Sequence, residues 1–435
     1  MLKWTFYNLV FALAYPFLLP GFLVRMCRRG GYAARFADRI GLYPAAVLDA
    51  LGARAGSHDY RPGEFVWIHA VSVGEVQVAG QLMRAWRAAE PGVRFCFSTT
   101  SSTGWRMAGR EVTGRDVLVY NPLDFPAFVR SALRTVRPRA IVLTESEIWP
   151  NFIRKARHYG VPLFLINARV SDRSAPRYRA ARWFFRDVLG AFTAIFAQSD
   201  LDRDRLVAAG APEGIVRVTG SFKFDVAVRR PEKERELESW LFPKGRRGER
   251  VLLGGSTWPG EDEALLAIYA RLKARDPSLR LVLAPRHFEK ADAVEANVRK
   301  AGFGCVRRSR GEGGLADGAV ALADTTGELM GLYGLADAVF VGKSLCAHGS
   351  QNMIEPCLCG KPTVVGPHTE NFRPVMSDLL AAGAIAQVRD AAELETRLAA
   401  LLAGDGGMGA RARAAVERRR GVVDACVKAI REALS

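Results

Sequence analysis

A chain of 435 residues with 49% apolar content is too long for one ordinary core and suits two folded α/β domains of roughly 200 residues each; its composition excludes a disordered or fibrous protein. The formal net charge of +17 draws it toward polyanions, but no zinc-finger spacing, RNA-recognition signature or basic helix continued by heptads is present, so anionic lipid and phosphorylated glycolipid are favoured over nucleic acid. Seven cysteines, an odd number scattered from Cys27 to Cys426, make no disulfide framework in a chain this large and fit a reducing cytoplasm; Cys357-Leu-Cys359 lacks a second pair and reads as two small buried hydrophobes.

From Trp4 to Met26 the chain is almost uncharged until Arg25, rich in Phe, Leu, Val and Tyr, and followed by Arg28 and Arg29. That length could cross a bilayer with its basic flank on the cytoplasmic side, although Asn8, Pro16 and Pro20 weaken the helix. No small-x-small cleavage site precedes Arg25, and arginines directly after the apolar run oppose export. Residues 1–27 are therefore expected to be an uncleaved anchor, spanning the membrane or lying in its interface, with everything beyond it cytoplasmic.

After a basic segment to about Pro44, apolar runs bounded by turns recur at Phe65–Val73, Arg94–Thr99, Val117–Tyr120, Ala140–Thr144, Leu163–Asn167, Ala194–Ala197 and Val216–Thr219. Most are followed by a stretch of helical period, such as Val76–Glu90, where Val78, Leu82, Ala85 and Trp86 share a face. Strand then helix, repeated, means a parallel sheet covered on both faces. The charged, non-periodic stretch Arg229–Arg250 reads as a linker. The rhythm then restarts at Val251–Gly254, Leu281–Ala284, Cys305–Arg307, Ala319–Ala323, Ala338–Gly342, Thr363–Gly366 and Ile385–Val388. Two doubly wound domains in series imply a cleft between them, with ligands at the carboxyl ends of strands.

Candidate chemistry sits at those strand ends. His69-Ala-Val-Ser-Val-Gly-Glu75 places Glu75 in the first turn of a helix, as a general base toward an acceptor hydroxyl or as a simple complement to the helix dipole. Glu145-Ser-Glu-Ile-Trp-Pro-Asn151 carries two acids; Glu145 and Glu147 can orient an acceptor or Arg169, or cap the helix begun by Pro150. Gly254-Gly-Ser-Thr-Trp-Pro-Gly-Glu-Asp-Glu263 has the order of an anion site, with Ser256 and Thr257 offering hydroxyls and Pro259 beginning a helix rich in acids, and equally that of an N-cap. Arg286 and His287 can clasp a phosphate or stand as a solvated surface pair. Gly327-Glu-Leu-Met330 opens a helix, and a second begins late, near Asn352 because of Pro356, with Asn352 and Glu355 on one face and able to take the two hydroxyls of a ribose. No P-loop, His-Glu-x-x-His, Gly-x-Ser-x-Gly or Gly-x-Gly-x-x-Gly after the first strand is present, and acid pairs of metal-binding type are scarce, so the chemistry is expected to need neither metal nor cofactor.

These segments, with Asn167-Ala-Arg-Val-Ser171, Gly220-Ser-Phe-Lys-Phe-Asp225, Asp324 to Met330 and Gly366-Pro-His-Thr-Glu-Asn-Phe372, together resemble the transferases that move 3-deoxy-D-manno-oct-2-ulosonic acid (Kdo) from CMP-Kdo to a lipid A precursor in lipopolysaccharide assembly. The resemblance runs over almost the whole chain. It implies a GT-B fold of two Rossmann-like domains: an acceptor domain at 28–225, a linker at 226–250, a CMP-Kdo domain at 251–421, and a C-terminal helix at 422–435 packing back on the first. It further implies an inverting reaction with Glu75 as base. Arg286, His287, Gly327, Glu328, Leu329, Met330, Asn352 and Glu355 would bind the CMP moiety, with Ser256 and Thr257 near the sugar acid. Lys223 would help stabilise departing negative charge, and the arginine-rich segment Arg25–Arg39 would hold acceptor phosphates. The setting is the cytoplasmic face of a bacterial inner membrane. Relatives commonly read Gly-Gly-Ser-Leu and Gly-Gly-His/Gln-Asn-Pro-Leu-Glu where this chain has Gly342-Lys-Ser-Leu345 and Gly349-Ser-Gln-Asn-Met-Ile-Glu355, so Lys343 adds a cation. A UDP-sugar lipid glycosyltransferase and a non-catalytic lipid-binding protein are the alternatives.

Overall fold

The computed structural model describes residues 2–29, 33–52, 63–226, 231–316 and 318–435. The chain divides into two units, Met1–Phe222 with Gly421–Ser435, and Lys223–Arg420. In the first, β1 (Phe65–His69), β2 (Arg94–Thr99), β3 (Val117–Tyr120), β4 (Ala140–Thr144), β5 (Leu163–Ala168), β6 (Ala194–Ala197) and β7 (Val216–Val218) form one sheet in the order β3-β2-β1-β4-β5-β6-β7. In the second, β8 (Arg250–Thr257), β9 (Leu279–Pro285), β10 (Gly304–Arg307), β11 (Ala319–Leu322), β12 (Ala338–Val341), β13 (Thr363–Val365) and β14 (Ala386–Gln387) lie in the order β10-β11-β9-β8-β12-β13-β14. Every pairing is parallel.

Burial explains why the strands read as continuous apolar runs rather than alternating ones. Val66, Trp67 and Ile68 of β1 are each 0% exposed, because helices cover both faces of the sheet. In each sheet the winding reverses once. The chain walks outward from β1 and then returns to lay β4 on its other side; β8 and β12 repeat the arrangement. Loops leaving the carboxyl ends of such a strand pair part to opposite faces and open a crevice there.

Three expectations change. The first strand stops at His69, four residues short of the apolar run's end, because Ser72 is the N-cap of the helix Val73–Ala89. The charged stretch around residue 235 is not a featureless linker: Pro231–Leu241 is a helix whose Leu237, Trp240 and Leu241, at i, i+3 and i+4, are buried within the second unit. Residues 227–230 of that stretch lie outside the described residues. The helix expected near Asn352 begins two residues later, at Ile354, with Pro356 in its first turn, where a missing N–H costs no intrahelical bond.

The last helix, Val422–Leu434, belongs to the first unit and lays Val423, Cys426, Val427 and Ile430 against the helix Val73–Ala89. The first helix, Leu2–Arg29, runs on through Pro16 and Pro20. One side of its first four turns docks on the first unit: Trp4 packs on Phe184, the Tyr7 hydroxyl donates to Asp124 at 2.9 Å, Asn8 accepts from Asn151 at 2.8 Å, and Phe11 and Tyr15 meet Phe125. The other side presents Leu2, Phe6, Leu9, Val10, Leu13 and Phe17 outward, exposed. No helix among the described residues is long and apolar enough to cross a membrane, which leaves the spanning form of the anchor without support.

Candidate functional site

In the first unit the crevice beside β1 and β4 collects acids. Glu75, in the first turn of Val73–Ala89, is only 8% exposed. Its carboxylate accepts from the Val71 amide at 2.9 Å, the Ser72 hydroxyl at 3.0 Å and the Thr144 hydroxyl at 3.3 Å. Ser72, the N-cap, in turn accepts from the Glu75 amide at 3.2 Å, so the two residues cap the helix start together. Glu75 thus does complement the helix N-terminus, and the same bonds fix its rotamer. Burial pushes its pKa above the ordinary carboxylate value; the Val71 amide and Ser72 oppose that rise, while the nearby charges of Glu147 and Glu145 add to it.

Beyond β4 the chain turns rather than continuing, with Glu145 at φ 49°, so the two acids splay. Glu145 takes the Asn167 amide at 3.2 Å and pairs with Arg169 at 2.8 Å. Glu147 takes the indole N–H of Trp149 at 2.8 Å and faces His69 Nε2 at 3.6 Å. Neither caps the helix Pro150–His158. That role falls to Asp124, whose carboxylate accepts from the amides of Asn151 and Phe152 at 2.9 and 2.8 Å. Asp124 comes from a loop 26 residues earlier in the chain, so local spacing carried no sign of it. Burial lifts its pKa to about 7, against the opposing bonds from Asn151, Phe152 and Tyr7.

His69 is a functional candidate that the reading of residues passed over, although it opens the motif that ends in Glu75. It is fully buried, with Nδ1 held 2.9 Å from the Ser98 hydroxyl, and its Nε2 has no hydrogen-bond partner. An orphaned ring nitrogen beside Glu147 is costly unless it is used. Arg39 moves the other way. It is 1% exposed, donates to the Thr100 carbonyl at 2.7 Å and lies on the Tyr120 ring, so it is a core residue and leaves the set expected to hold acceptor phosphates. The side chains of Arg25, Arg28 and Arg29 lie outside the described residues.

In the second unit the strand ends collect amides and cations. A pocket of about 130 Å³ at the ends of β8, β9 and β11 is lined by Ser256, Arg286, Thr325, Thr326, Gly327, Glu328 and Leu329, among others. Glu355 is tied to it electrostatically: burial raises its pKa, and Asn352 and Arg286 oppose the rise. Asn352 donates to Glu355 at 3.0 Å and accepts from the Ile354 amide at 3.0 Å, so this pair is built as a cap. Thr257 is 2% exposed and donates to Asp262 at 2.5 Å, His287 is half-exposed and bonded to Glu289 at 3.1 Å, and Met330 packs on the core; none of these three lines the pocket. Glu328, which also lines the pocket, is committed to Lys233 at 2.8 Å and Arg308 at 3.1 Å. Lys223 holds its ammonium 4.2 Å from the Phe372 ring centre.

Glu261, which sequence reasoning saw only as one of several helix-start acids, organises this crevice. It is 0% exposed, and its carboxylate accepts from the amides of Trp258 at 2.9 Å, Lys343 at 2.8 Å, Ser344 at 3.0 Å and Leu345 at 2.9 Å. The turn after β12 is drawn in so closely that a Cβ on Gly342 would lie 2.3 Å from the Ser256 carbonyl. Lys343 beside it sits at φ 58°, and its ammonium stands 4.9 Å over the Trp258 ring.

Residues 34–226 match the family described as 3-deoxy-D-manno-octulosonic-acid transferase (kdotransferase). The 3-deoxy-D-manno-octulosonic acid transferase of Bordetella pertussis is 37% identical over 397 residues, covering 88% of each chain. That of Haemophilus influenzae is 31% identical over 398 residues, 91% of this chain and 90% of its own. In fold, the chain resembles UDP-GlcNAc 2-epimerase from Neisseria meningitidis (TM-score 0.59, 13% identity, 85% of this chain and 99% of that one) and a glycosyltransferase from Rickettsia africae (TM-score 0.56, 12% identity, 87% and 100%).

Proposed function

The chain belongs to the Kdo transferase family, and on that premise we propose a reaction built on Glu75. The protein is a glycosyltransferase that moves Kdo to a lipid A precursor. The donor in this reading is CMP-Kdo, displaced once with inversion and without metal or cofactor. Glu75 removes the proton from a glucosamine hydroxyl as the CMP phosphate leaves the anomeric carbon. The observation that carries the reading is the state of that carboxylate: buried, fixed by three donors, and made more basic by its surroundings. Glu147, set by His69 and Trp149, and the Glu145–Arg169 pair position the acceptor. On the second unit, Arg286 and the Gly327–Met330 turn hold the phosphate, Ser256 lies near the sugar acid, and Asn352 with Glu355 takes the ribose. His287 donates to the phosphate, Lys223 adds positive charge around the leaving group, and Thr257 acts through Asp262.

The first helix supports membrane attachment in the interface. A helix whose aromatic and polar side is docked, and whose outward side is Leu2, Phe6, Leu9, Val10, Leu13 and Phe17, has its exposed face matched to acyl chains. In this reading it lies in the cytoplasmic leaflet of the inner membrane, where the lipid acceptor is found. Incubating the enzyme with a tetra-acylated lipid A precursor and freshly made CMP-Kdo, and weighing the product, tests the whole reading. Lipid gaining the mass of Kdo, with release of CMP, is the expected result. Release of UDP from a UDP-sugar instead, or lipid binding without any product, would replace it.

A further inference from the structure

The motif Gly366-Pro-His-Thr-Glu-Asn-Phe372 leaves His368 and Glu370 without a part in the transfer. The loop after β12 brings His348 beside them. The Nδ1 atoms of His348 and His368 lie 3.2 and 3.6 Å from the same oxygen, Oε1 of Glu370, and one ligand atom from each residue fits within 4.8 Å of the others. The two imidazole rings have their centres 3.9 Å apart. We propose that His348, His368 and Glu370 are a binding site for one divalent transition ion of the zinc class, which clasps the loop after β12 to the loop after β13.

The geometry and the donor set agree. Zinc bonds of about 2.0–2.2 Å in a tetrahedral arrangement put neighbouring ligand atoms about 3.3 Å apart, close to both distances here. Two imidazoles with one carboxylate suit zinc, cobalt or nickel and give calcium or magnesium too few oxygens. The fourth position falls to water. The ligands are accessible, with His348 78%, Glu370 42% and His368 32% exposed at the side chain. Stability does not account for the cluster, since exposed ion pairs contribute little.

The two loops also hold the ligands in place. The His368 amide donates to the Ser344 carbonyl at 3.0 Å and the Gly366 amide to the Ser344 hydroxyl at 2.9 Å. A Cβ on Gly349, next to His348, would stand 2.3 Å from the Asn371 amide nitrogen, so the loops interlock. A site framed this way loses little freedom on binding an ion. The ion is structural; no step of the transfer runs through it, and the proposal stands independently of the transferase reading.

Calorimetric titration of the chelator-treated full chain with zinc chloride at about pH 7.5, where imidazoles are neutral ligands, tests it. One ion per chain is expected, bound at least tenfold more weakly by each of H348A, H368A and E370A and unchanged in H158A and C346S. Cobalt(II) should give the intense visible bands of a four-coordinate ion with the wild-type chain and lose them with H348A. Absence of uptake below about 100 µM zinc overturns the proposal. So does uptake that the three variants leave untouched or that C346S abolishes. His348 and His368 sit in loops and Glu370 opens a single helical turn, all three at the surface, so the variants keep the fold.

Discussion

The two units place their chemistry at the same topological position and fill it with opposite electrostatics. Beside β1 and β4 the strand ends gather carboxylates: Glu75, Glu145 and Glu147, with the unpartnered nitrogen of His69 among them. Beside β8 and β12 the buried carboxylates are committed, Glu261 to backbone amides, Asp262 to the Thr257 hydroxyl and Glu328 to Lys233 and Arg308, and the pocket beyond offers Arg286, hydroxyls and main chain. The reversal point of a doubly wound sheet therefore sets where a site lies and not what it does. In the first unit burial, with the neighbouring charges of Glu147 and Glu145 adding to it, raises the pKa of Glu75, the condition for a base; in the second a buried acid spends its oxygens on backbone N–H groups and orders the turn of an anion cradle.

The first way to break that comparison is Glu75→Gln, which keeps shape and the bond accepted from the Val71 amide but abolishes proton acceptance. A general base contributes about 10²- to 10⁴-fold, so kcat should fall about a thousandfold while the melting temperature moves little. An unchanged kcat would reduce Glu75 to its capping role. The pH profile sharpens the same point: because the carboxyl is raised in the folded protein, the acidic limb of kcat/KM should lie above the ordinary carboxylate value rather than on it.

The matching change on the other side is Glu261→Ala. It strands four amides in a site with no exposure, at about 1–3 kcal/mol for each that stays unpaired. Even with water entering, unfolding free energy should drop by about 3 kcal/mol or more in urea titration, and donor KM should rise as the 342–345 turn loosens. Stability within about 0.5 kcal/mol of wild type would show that the amides find other partners and that Glu261 does not organise the crevice.

How much of this was legible in the sequence follows from the range of the interactions. All fourteen strands of the described residues stood out as apolar runs; the inner ones, such as β1, are buried on both faces and so apolar throughout, while the edge strands β7, β10 and β14 are partly exposed. The helix Pro231–Leu241 did not, because its buried edge is only Leu237, Trp240 and Leu241 set among charges. Glu75 was legible because its capping partners are three and four residues away. Asp124 and Glu261 were not: the amides they hold lie, in part, 27 and 82 residues distant, and no local pattern encodes such a bond. The pocket-lining set divides in the same manner. Arg286 follows β9 directly and Gly327 lies in the turn after β11, whereas Thr257 and Asn352 looked like ligand groups and are bonded within the unit, Thr257 to Asp262 and Asn352 to the Ile354 amide.

Asp124 offers a prediction of intermediate size. Its folded pKa of about 7 lies above its ordinary 3.8, so the folded chain holds a proton that the unfolded chain releases, and stability must fall as pH rises from about 4 to about 7 and then level off. Asp124→Asn removes that titration. The melting temperature of the variant should be flatter than that of the wild type across this window; equal slopes would place the pH dependence on other groups.

The smallest effect is expected at Lys343, and it tests whether the second crevice carries a cation by necessity or by accident. The residue holds a left-handed backbone at φ 58°, a conformation costing about 1–2 kcal/mol for a side chain with a Cβ and little for glycine. Its ammonium lies 4.9 Å over Trp258, a contact worth about 0.5–1 kcal/mol at an accessible position. Strain outweighs the contact, so Lys343→Gly should stabilise the protein by up to about 1 kcal/mol. If the ammonium also meets an anionic donor, the same variant should raise donor KM several-fold while leaving kcat almost unchanged. A gain in stability with no change in KM would leave amides and Arg286 as the whole of the cradle, and the contrast with the acid-filled crevice would then rest on backbone dipoles rather than on lysine charge.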